Sequence, residues 1–531
     1  MRVGTIVRVD LHGRRVGGWV VAVDDVEEAP ATRQLKPIAK VTGDGPARNL
    51  VELASWAAWR WAGRRGVFLK TASPPRVVRG SPRSSGVPAH GNGAVRVIRS
   101  PPAADLLPLV LEAAAERDAL VLVPTHAAAT SVVSRLRAAG IVSALMPDDW
   151  ALAAVGGCVA VGSRAAAWAP RPRLGGMLVL DEHDEAYQEE RAPTWHARDV
   201  AIERARRAGA GCTLVSPCPS LEALATGVLT TPPRAEERAG WPVVEIVDRR
   251  REAPGLGLFS ERLVTLARDV RRMVCVLNRK GRARLLACSA CGELARCAIC
   301  EAAVEQHDES LRCRRCGAER PTICTSCGST RLKTLRMGVT RAAEELEHLA
   351  RRPVAEVTAD GISRQRAPIV VGTEAVLHRV QEADVVAFLD LDQELLAPRY
   401  RAAEQAMALL ARAARVVGGR AGGGRLLLQT RLPEHEVIDA VVHADPGRLA
   451  QKEEARRTEL HFPPAAAMAV VSGEAASAFI ERLRAAPALD IMGPADGRWL
   501  VRADRHEQLC DALAATTRPP GRLRVNVDPS R

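Results

Sequence analysis

Between Val3 and Val23 the apolar positions come in alternation: Val3, Ile6, Val7 and Val9, then Trp19, Val20, Val21 and Val23, around turn signals at Gly13 and Gly17-Gly18. A period of two with glycine punctuation predicts antiparallel strands. A helical stretch carrying Trp56, Trp59 and Trp61 follows. Three aromatics near helical spacing predict core packing more than base stacking. From Ser81 to Gly93 the chain turns to Ser, Pro, Gly and Asn, the composition of a linker.

Beyond that linker the rhythm changes. Short, continuously apolar runs stand between alanine-rich helical stretches: Ala119–Val123, Val159–Gly162, Met177–Leu180, Thr213–Val215, Val274–Leu277, Ile369–Val371, Val385–Leu389 and Leu426–Leu428. Runs of this kind are strands buried on both faces, and their alternation with helices predicts doubly wound parallel sheets, here enough for two. From about residue 432 the pattern becomes α+β, with a helix near 475–486 and strands at Trp499–Val501 and Leu523–Val527. The expected class is therefore α/β: two tandem parallel-sheet lobes, a small β-rich N-terminal domain and an α+β C-terminal domain.

At 531 residues the chain exceeds what one hydrophobic core serves, which fits three or four domains. No apolar run reaches the length of a membrane span, and Met1-Arg2-Val3-Gly4 opens without an apolar signal core, so a reduced cytoplasmic setting is expected. Seventy-five basic against sixty-two acidic residues give a net charge of +13, which points to a polyanionic partner. Only six of the basic residues are lysines. Arginine is the better bidentate phosphate ligand, although the nucleotide composition of the gene explains the scarcity of lysine equally well.

Eight of the thirteen cysteines fall into four Cys-x2-Cys pairs: Cys288/Cys291, Cys297/Cys300, Cys313/Cys316 and Cys324/Cys327. Each such knuckle delivers two thiolates from one tight turn, so four of them predict two all-cysteine, four-ligand zinc sites. An odd cysteine total in a long chain argues against a disulfide framework. Sequential and nested pairing both satisfy the ligand count. Nesting is favoured, because Cys297, Cys300, Cys313 and Cys316 form a compact ribbon that draws Cys288, Cys291, Cys324 and Cys327 into a second site. With four protein ligands apiece, both zinc ions would be structural. Cys158, Cys212, Cys218, Cys275 and Cys510 lie singly and read as packing residues.

A series of short motifs then resembles, in order, primosomal protein N′, the PriA family of replication-restart helicases. They are Gly162-Ser163-Arg164, Ala169-Pro170, Leu174-Gly175, Glu182-His183-Asp184, Tyr187, His196-Ala197-Arg198-Asp199, Asn278-Arg279-Lys280-Gly281, the cysteine array, Gly372-Thr373, Asp390-Leu391-Asp392, Leu428-Gln429-Thr430, Pro433-Glu434-His435, Pro463-Pro464 and Val527-Asp528-Pro529. The resemblance implies helicase-like, RecA-like lobes with an inserted zinc-ribbon module. The boundaries it implies are a DNA-binding N-terminal domain at 1–80, a linker at 81–93, lobe 1 at 94–235, lobe 2 at 236–431 with the zinc insertion at 285–330, and a C-terminal domain at 432–531. The family's winged-helix module is replaced by the linker, and the family's first strands lie upstream of the segment matching Val3–Val23, so this chain is expected to start late.

A motor of this class holds ATP with Gly-x4-Gly-Lys-Ser/Thr, whose N–H groups and lysine grip the phosphates. None of Lys36, Lys40, Lys70, Lys280, Lys333 and Lys452 stands in such a loop. At the family's position the chain reads Ile98-Arg99-Ser100-Pro101-Pro102-Ala103-Ala104, and proline has no N–H to offer. The family's Asp-Glu-Glu-His-Asp has become Leu180-Asp181-Glu182-His183-Asp184, and Ser-Ala-Thr-Pro has become Ser216-Pro217-Cys218-Pro219. Asp181, one residue along, would point to the opposite strand face. The arginine-finger segment is Ala408–Arg415, where Arg412 and Arg415, with no phosphate to contact, are expected to serve as surface or phosphate-facing charges. Asp181, Glu182, Arg412 and Arg415 are thus vestigial nucleotide-site positions, ATP hydrolysis is not expected and no catalytic residue is assigned.

The resemblance then implies a nucleoid-associated protein that binds forked or D-loop DNA and joins other primosome proteins and the replicative helicase, with no membrane partner. Arg279, Arg282, Arg296, Arg312, Arg314, Arg315 and Arg331 are candidate phosphate contacts, or else counter-charges to the zinc thiolates. An active ATP-dependent 3′–5′ helicase with an unconventional site, and a zinc-ribbon protein-interaction scaffold, are the competing readings.

Overall fold

In the computed structural model, which describes residues 1–23, 36–80, 93–116, 118–252, 257–277, 286–307, 310–334, 338–358, 361–364, 366–486 and 489–529, the N-terminal strands meet through a two-residue turn. His12 and Gly13 both have positive φ, 48° and 73°, as a primed hairpin turn requires. That turn pairs β1 (Ile6–Leu11) with β2 (Arg14–Trp19) in the register Leu11↔Arg14 to Ile6↔Trp19, and β3 (Ile38–Gly43) joins the other side of β1. The second strand thus precedes the expected Trp19–Val23, and Gly17 and Gly18 lie inside it, opposite Arg8 and Val7. The Ser81–Gly93 linker falls, up to residue 92, outside the described residues.

The chain folds as two units. Met1–Arg99, Asp105–Thr230 and Glu454–Ser530 make the first; Ser100–Ala104 and Thr231–Glu453 belong to the second. At the heart of the first is a seven-stranded, all-parallel sheet of β4 (Val95–Arg99), β5 (Leu120–Leu122), β6 (Ser143–Leu145), β7 (Val159–Gly162), β8 (Gly176–Leu180), β9 (Gly211–Ser216) and β10 (Val228–Thr230), in the order β10-β4-β9-β8-β5-β7-β6. Leu178 and Leu180 pack on one face with Val121, Val133 and Val215. The opposite face, through Leu120, Leu122, Val179 and Leu214, shares one core with α1 (Arg48–Arg60) and α2 (Arg65–Ala72). An aromatic chain runs through that core: ring centroids are 6.3 Å apart for Trp61 and Phe68, 5.5 Å for Phe68 and Trp168, and 5.9 Å for Trp168 and Trp195. Trp61 is buried, as its spacing predicts, whereas Trp59 reaches out to donate its indole N–H to Asp511 at 2.8 Å.

The second unit carries its own seven-stranded sheet: β11 (Val243–Asp248), β12 (Met273–Val276), β18 (Val354–Thr358), β19 (Gly361–Ile362), β20 (Ile369–Gly372), β21 (Val385–Phe388) and β22 (Arg425–Thr430), in the order β11-β22-β21-β12-β20-β18-β19. All its pairs are parallel except β18 with β19. Between β12 and β18 the cysteine module is inserted. The pair β13 (Leu286–Cys288) and β17 (Leu332–Thr334) closes its base, and β14 (Val304–His307), β15 (Ser310–Cys313) and β16 (Glu319–Pro321) form its small antiparallel sheet. The C-terminal residues return to the first unit as the antiparallel sheet β24-β25-β23-β26, built from β23 (Ala467–Ser472), β24 (Asp490–Ala495), β25 (Arg498–Ala503) and β26 (Arg524–Val527). Among the described residues no helix is long and apolar enough to cross a membrane.

Candidate metal centres and motif positions

Each cysteine knuckle is built by the same backbone device. The residue after the second cysteine is left-handed: Gly292 (φ 77°), Glu301 (φ 57°), Gly317 (φ 76°) and Gly328 (φ 74°). Its N–H donates to the carbonyl of the first cysteine, at 2.9 Å, 3.1 Å, 2.9 Å and 3.0 Å in chain order. This turn swings both sulfurs to one side. Further N–H groups point at sulfur: Ala290 at Cys288, Ile299 at Cys297 and Arg315 at Cys313, each at 3.4 Å.

The knuckles nest. Cys288 Sγ lies 3.5 Å from Cys327 Sγ and Cys291 Sγ 3.6 Å from Cys324 Sγ; Cys297 and Cys316, like Cys300 and Cys313, are 3.5 Å apart. Within each set of four, all sulfurs lie within 4.8 Å of one another. A zinc tetrahedron with Zn–S of about 2.3 Å has S···S edges of about 3.8 Å, so either set could hold a zinc ion after a shift of a few tenths of an ångström. Within each tetrad the sulfurs share protons unequally: the Cys291 N–H, ahead of other donors, draws the Cys288 thiol down to about 6, while the neighbouring Cys327 sulfur, against the Glu293 N–H, pushes Cys291 up to about 12. At Cys297 burial opposes ionisation, but the N–H groups of Cys300 and Ile299 prevail and bring it to about 7. Thiolate is the form a metal takes.

Several arginines of the module already face carboxylates. Arg314 Nε is 2.6 Å from Glu305, Arg312 3.5 Å from Glu319 and Arg296 3.6 Å from Glu293. Exposed pairs of this kind contribute about 0–1 kcal/mol and yield readily to a stronger anion. Arg279 and Arg282 lie outside the described residues.

In the first unit the helicase-like motifs converge at the carboxyl end of β8. Leu180 completes that strand and is buried in the apolar core, where the family carries an aspartate. The strand stops there. Asp181, which alternation would send to the opposite face, instead leaves with φ +52°. Tyr187 donates its hydroxyl to the Leu180 carbonyl at 2.7 Å. Glu182 is fully buried and accepts from the Ser220 N–H at 2.7 Å and the Ser220 hydroxyl at 2.8 Å, with Arg198 Nη1 at 3.5 Å. Burial raises its carboxyl above the usual range, against the pull of Arg198. Arg198 also reaches Asp199 at 2.9 Å, and buried Arg457 approaches Glu222 at 3.7 Å, partners that motif reading did not supply. Downstream, the imidazole Nδ1 of His183 lies 2.8 Å from the Ser216 hydroxyl, joining two motif segments.

The segment at the phosphate-loop position is also occupied by packing. Pro101 and Pro102 are buried, the Ala103 N–H donates to Gly240 O at 3.2 Å, and Arg415 Nε donates to Pro102 O at 3.3 Å. Arg415 therefore contacts a backbone carbonyl, a partner that spacing alone gave no sign of. A Cβ on Gly240 would meet Pro101 Cβ at 2.3 Å, which makes glycine necessary there. Arg412 is half-buried on the same helix, Ala402–Val417. At the end of β21, Asp392 accepts from the Thr430 hydroxyl and, at 2.9 Å, from the Arg431 N–H, while Asp390 accepts from Gln393 at 2.7 Å. Burial first, and Asp390 second, push the Asp392 carboxyl up to about 7.

Comparison with known proteins places these features. Residues 1–74 match the 3′ DNA-binding domain (3′BD) of PriA. Replication restart protein PriA of Bacillus subtilis is 28% identical over 404 residues, covering 67% of this chain and 49% of its own. The probable PriA of Mycobacterium bovis is 28% identical over 574 residues, covering 93% of this chain and 86% of its own. That of Mycobacterium leprae is 29% identical, with 83% and 72% covered. The chain spans about half the length of relatives such as the B. subtilis protein, and most of the length of the mycobacterial ones. A match to the PriA 3′ DNA-binding domain at one end, similarity to probable PriA proteins along 93% of the sequence, two parallel-sheet lobes and two four-cysteine clusters together make the chain similar to PriA replication-restart proteins along nearly its whole length.

Proposed function

We propose that this chain is a zinc-stabilised, DNA-binding replication-restart protein that recognises forked or D-loop DNA and helps to assemble the primosome, without unwinding DNA itself. Residues 1–80 and the arginines of the lobes and cysteine module would hold phosphates at the nucleoid. The helicase-like lobes, at 94–235 and 236–431, serve as the scaffold on which primosome proteins and the replicative helicase are loaded.

One observation carries this reading: the phosphate-loop position holds Pro101 and Pro102 and no lysine. Phosphoryl transfer depends almost wholly on positioning and on neutralising charge with amide donors, a lysine and magnesium. The sequence offers none of the three: two prolines that donate nothing and no lysine stand at the loop position, and Leu180 stands in place of the magnesium-side aspartate. The two thiolate tetrads fit structural zinc, which would tie the knuckles together and leave no open coordination position.

The reading is tested on one preparation by metal analysis, fork and duplex affinity across a salt series, and ATPase assays with and without single-stranded DNA. It expects two zinc ions per chain, fork binding that weakens steeply with salt and turnover equal to a blank. DNA-stimulated hydrolysis would overturn it in favour of an active helicase. A second reading, the cysteine module as a protein-docking element, is favoured by Ile299 and Ile323, which stand 75% and 45% exposed at the knuckles. DNA affinity that is absent or indifferent to salt would select it.

A further inference from the structure

In the second unit, two helices end where the parallel strands begin. Glu261–Asp269 runs into β12 through Val270-Arg271-Arg272, and Val339–Ala350 runs into β18 through Arg351-Arg352-Pro353. Helix C-termini carry exposed carbonyls and partial negative charge, which attract arginine. Two arginines answer that need reciprocally. Arg268 donates to Leu349 O at 2.7 Å, and Arg352 Nη1 donates to Ala267 O, Arg268 O and Val270 O at 2.8, 3.2 and 2.6 Å.

The same edge carries cations beyond those that cap the helices. Arg271 is 84% exposed, with Asp384 at 3.7 Å. Arg366, just before β20, is exposed. Arg351 is exposed and sits at φ +55°, in the left-handed cap position where glycine or asparagine is the unstrained choice. Holding an arginine there costs about 1 kcal/mol of backbone strain. The strand register places side by side the three strand starts that these arginines precede, since Met273 and Val354 both lie level with Ile369. At about 4.8 Å between neighbours, the starts of β12, β20 and β18 span about 10 Å. The acids at this edge include Asp384, 3.7 Å from Arg271, and Glu347, which accepts from the Val354 N–H at 3.1 Å and is paired with Arg364 at 3.0 Å.

We propose that this amino-terminal edge of the second sheet is a phosphate-binding face for the backbone of duplex nucleic acid, with Arg271, Arg351 and Arg366 as the contacts. Duplex DNA carries one negative charge per about 1.7 Å of axis, so a 10 Å row of cations faces several phosphates at once. Chemistry in parallel α/β sheets sits at the carboxyl ends of the strands, so this face is separate from the motif positions. The inference rests on the proposed DNA-binding role and adds a second place of contact, one blind to sequence.

The test compares full-length protein with the triple variant Arg271→Gln, Arg351→Gly, Arg366→Gln on two unrelated duplexes across a salt series. Arg351→Gly relieves the strained backbone, and equal circular dichroism and zinc content check the fold. The expected result is an affinity at least about tenfold lower on both duplexes, and a salt slope shallower by about 0.9 for each lost contact. The charge-preserving variant with lysine at all three positions should keep the wild-type slope. A triple variant that binds like wild type overturns this face alone, whereas a wild-type protein that binds no DNA overturns the functional reading with it. Unchanged duplex binding alongside lost binding to phosphatidylserine vesicles would reassign the face to lipid.

Discussion

Asp528 lies 2.6 Å from Arg60 Nη2 and 3.0 Å from His506 Nε2, and Arg60 is itself buried. Burial alone would raise this carboxyl; Arg60, then His506, overcome it and hold it far below the usual carboxylate range. A depressed folded pKa contributes stability that is fully present above the unfolded value of about 3.9 and is lost as pH falls. Asp528→Asn should therefore destabilise the first unit by about 3–5 kcal/mol at neutral pH, the cost of stranding a buried charge. In chemical denaturation, the gap between variant and wild type should hold down to about pH 4 and narrow progressively only below it. Asp392 runs the other way. Its carboxyl is raised to about 7, so its contribution is present in acid and is lost as pH climbs from about 4 through 7. Asp392→Asn should flatten the fall in melting temperature between about pH 4 and 7; an unchanged profile would show Asp392 ionised throughout. None of these partners could be read from spacing: Arg60 and Asp528 are 468 positions apart.

At the scale of the element, the cysteine knuckles were largely legible, because Cys-x2-Cys is a local device and its nesting follows from the compact inner ribbon. The left-handed residue that closes each turn was printed beside them as glycine in three of four cases. Glu301 is the exception. Gly317→Ala should lower the stability of the module by about 1 kcal/mol, all of it backbone strain because a Cβ there meets nothing within 4 Å, and Glu301→Gly should raise it by a similar amount. Thermal melts of zinc-loaded protein measure both. Chelation should expose the module to protease between residues 286 and 334 while leaving the parallel sheets intact, since a core of small apolar residues such as Ala295, Ala302 and Leu311 is too slight to hold it without metal. The long parallel strands were legible for a different reason: burial on both faces leaves continuous apolar runs. Strands β4, β6 and β11 escaped notice because arginines interrupt the first, the second is three residues long and the third is an edge strand with no fully buried residue. In the N-terminal hairpin the turn falls at Gly13, one of the two positions its glycines marked, with His12 beside it also at positive φ, while Gly17-Gly18 pair within the strand.

For the molecule as a whole, the proposed loss of nucleotide binding has a thermodynamic signature. A ligand that binds only the folded state raises its melting temperature, so millimolar magnesium-ATP should leave this protein's melt unchanged. A rise of several degrees would mean a triphosphate site survives. Sequence rhythm gave the two lobes and the order of modules, because those are contiguous, but it could not give the composition of the first unit, which gathers Met1–Arg99, Asp105–Thr230 and Glu454–Ser530. Synthesis is vectorial, and domains ordinarily fold as they leave the ribosome. Here Arg60 emerges hundreds of codons before Asp528 exists to neutralise it. The whole second unit is translated in the interval, so the earliest-made helices must wait, with a buried-type cation and a tryptophan-rich surface unsatisfied, for the last strand to arrive. A premature stop just ahead of Asp528 would thus do its damage at the opposite terminus, leaving the segment matched to the 3′ DNA-binding domain undocked from its support.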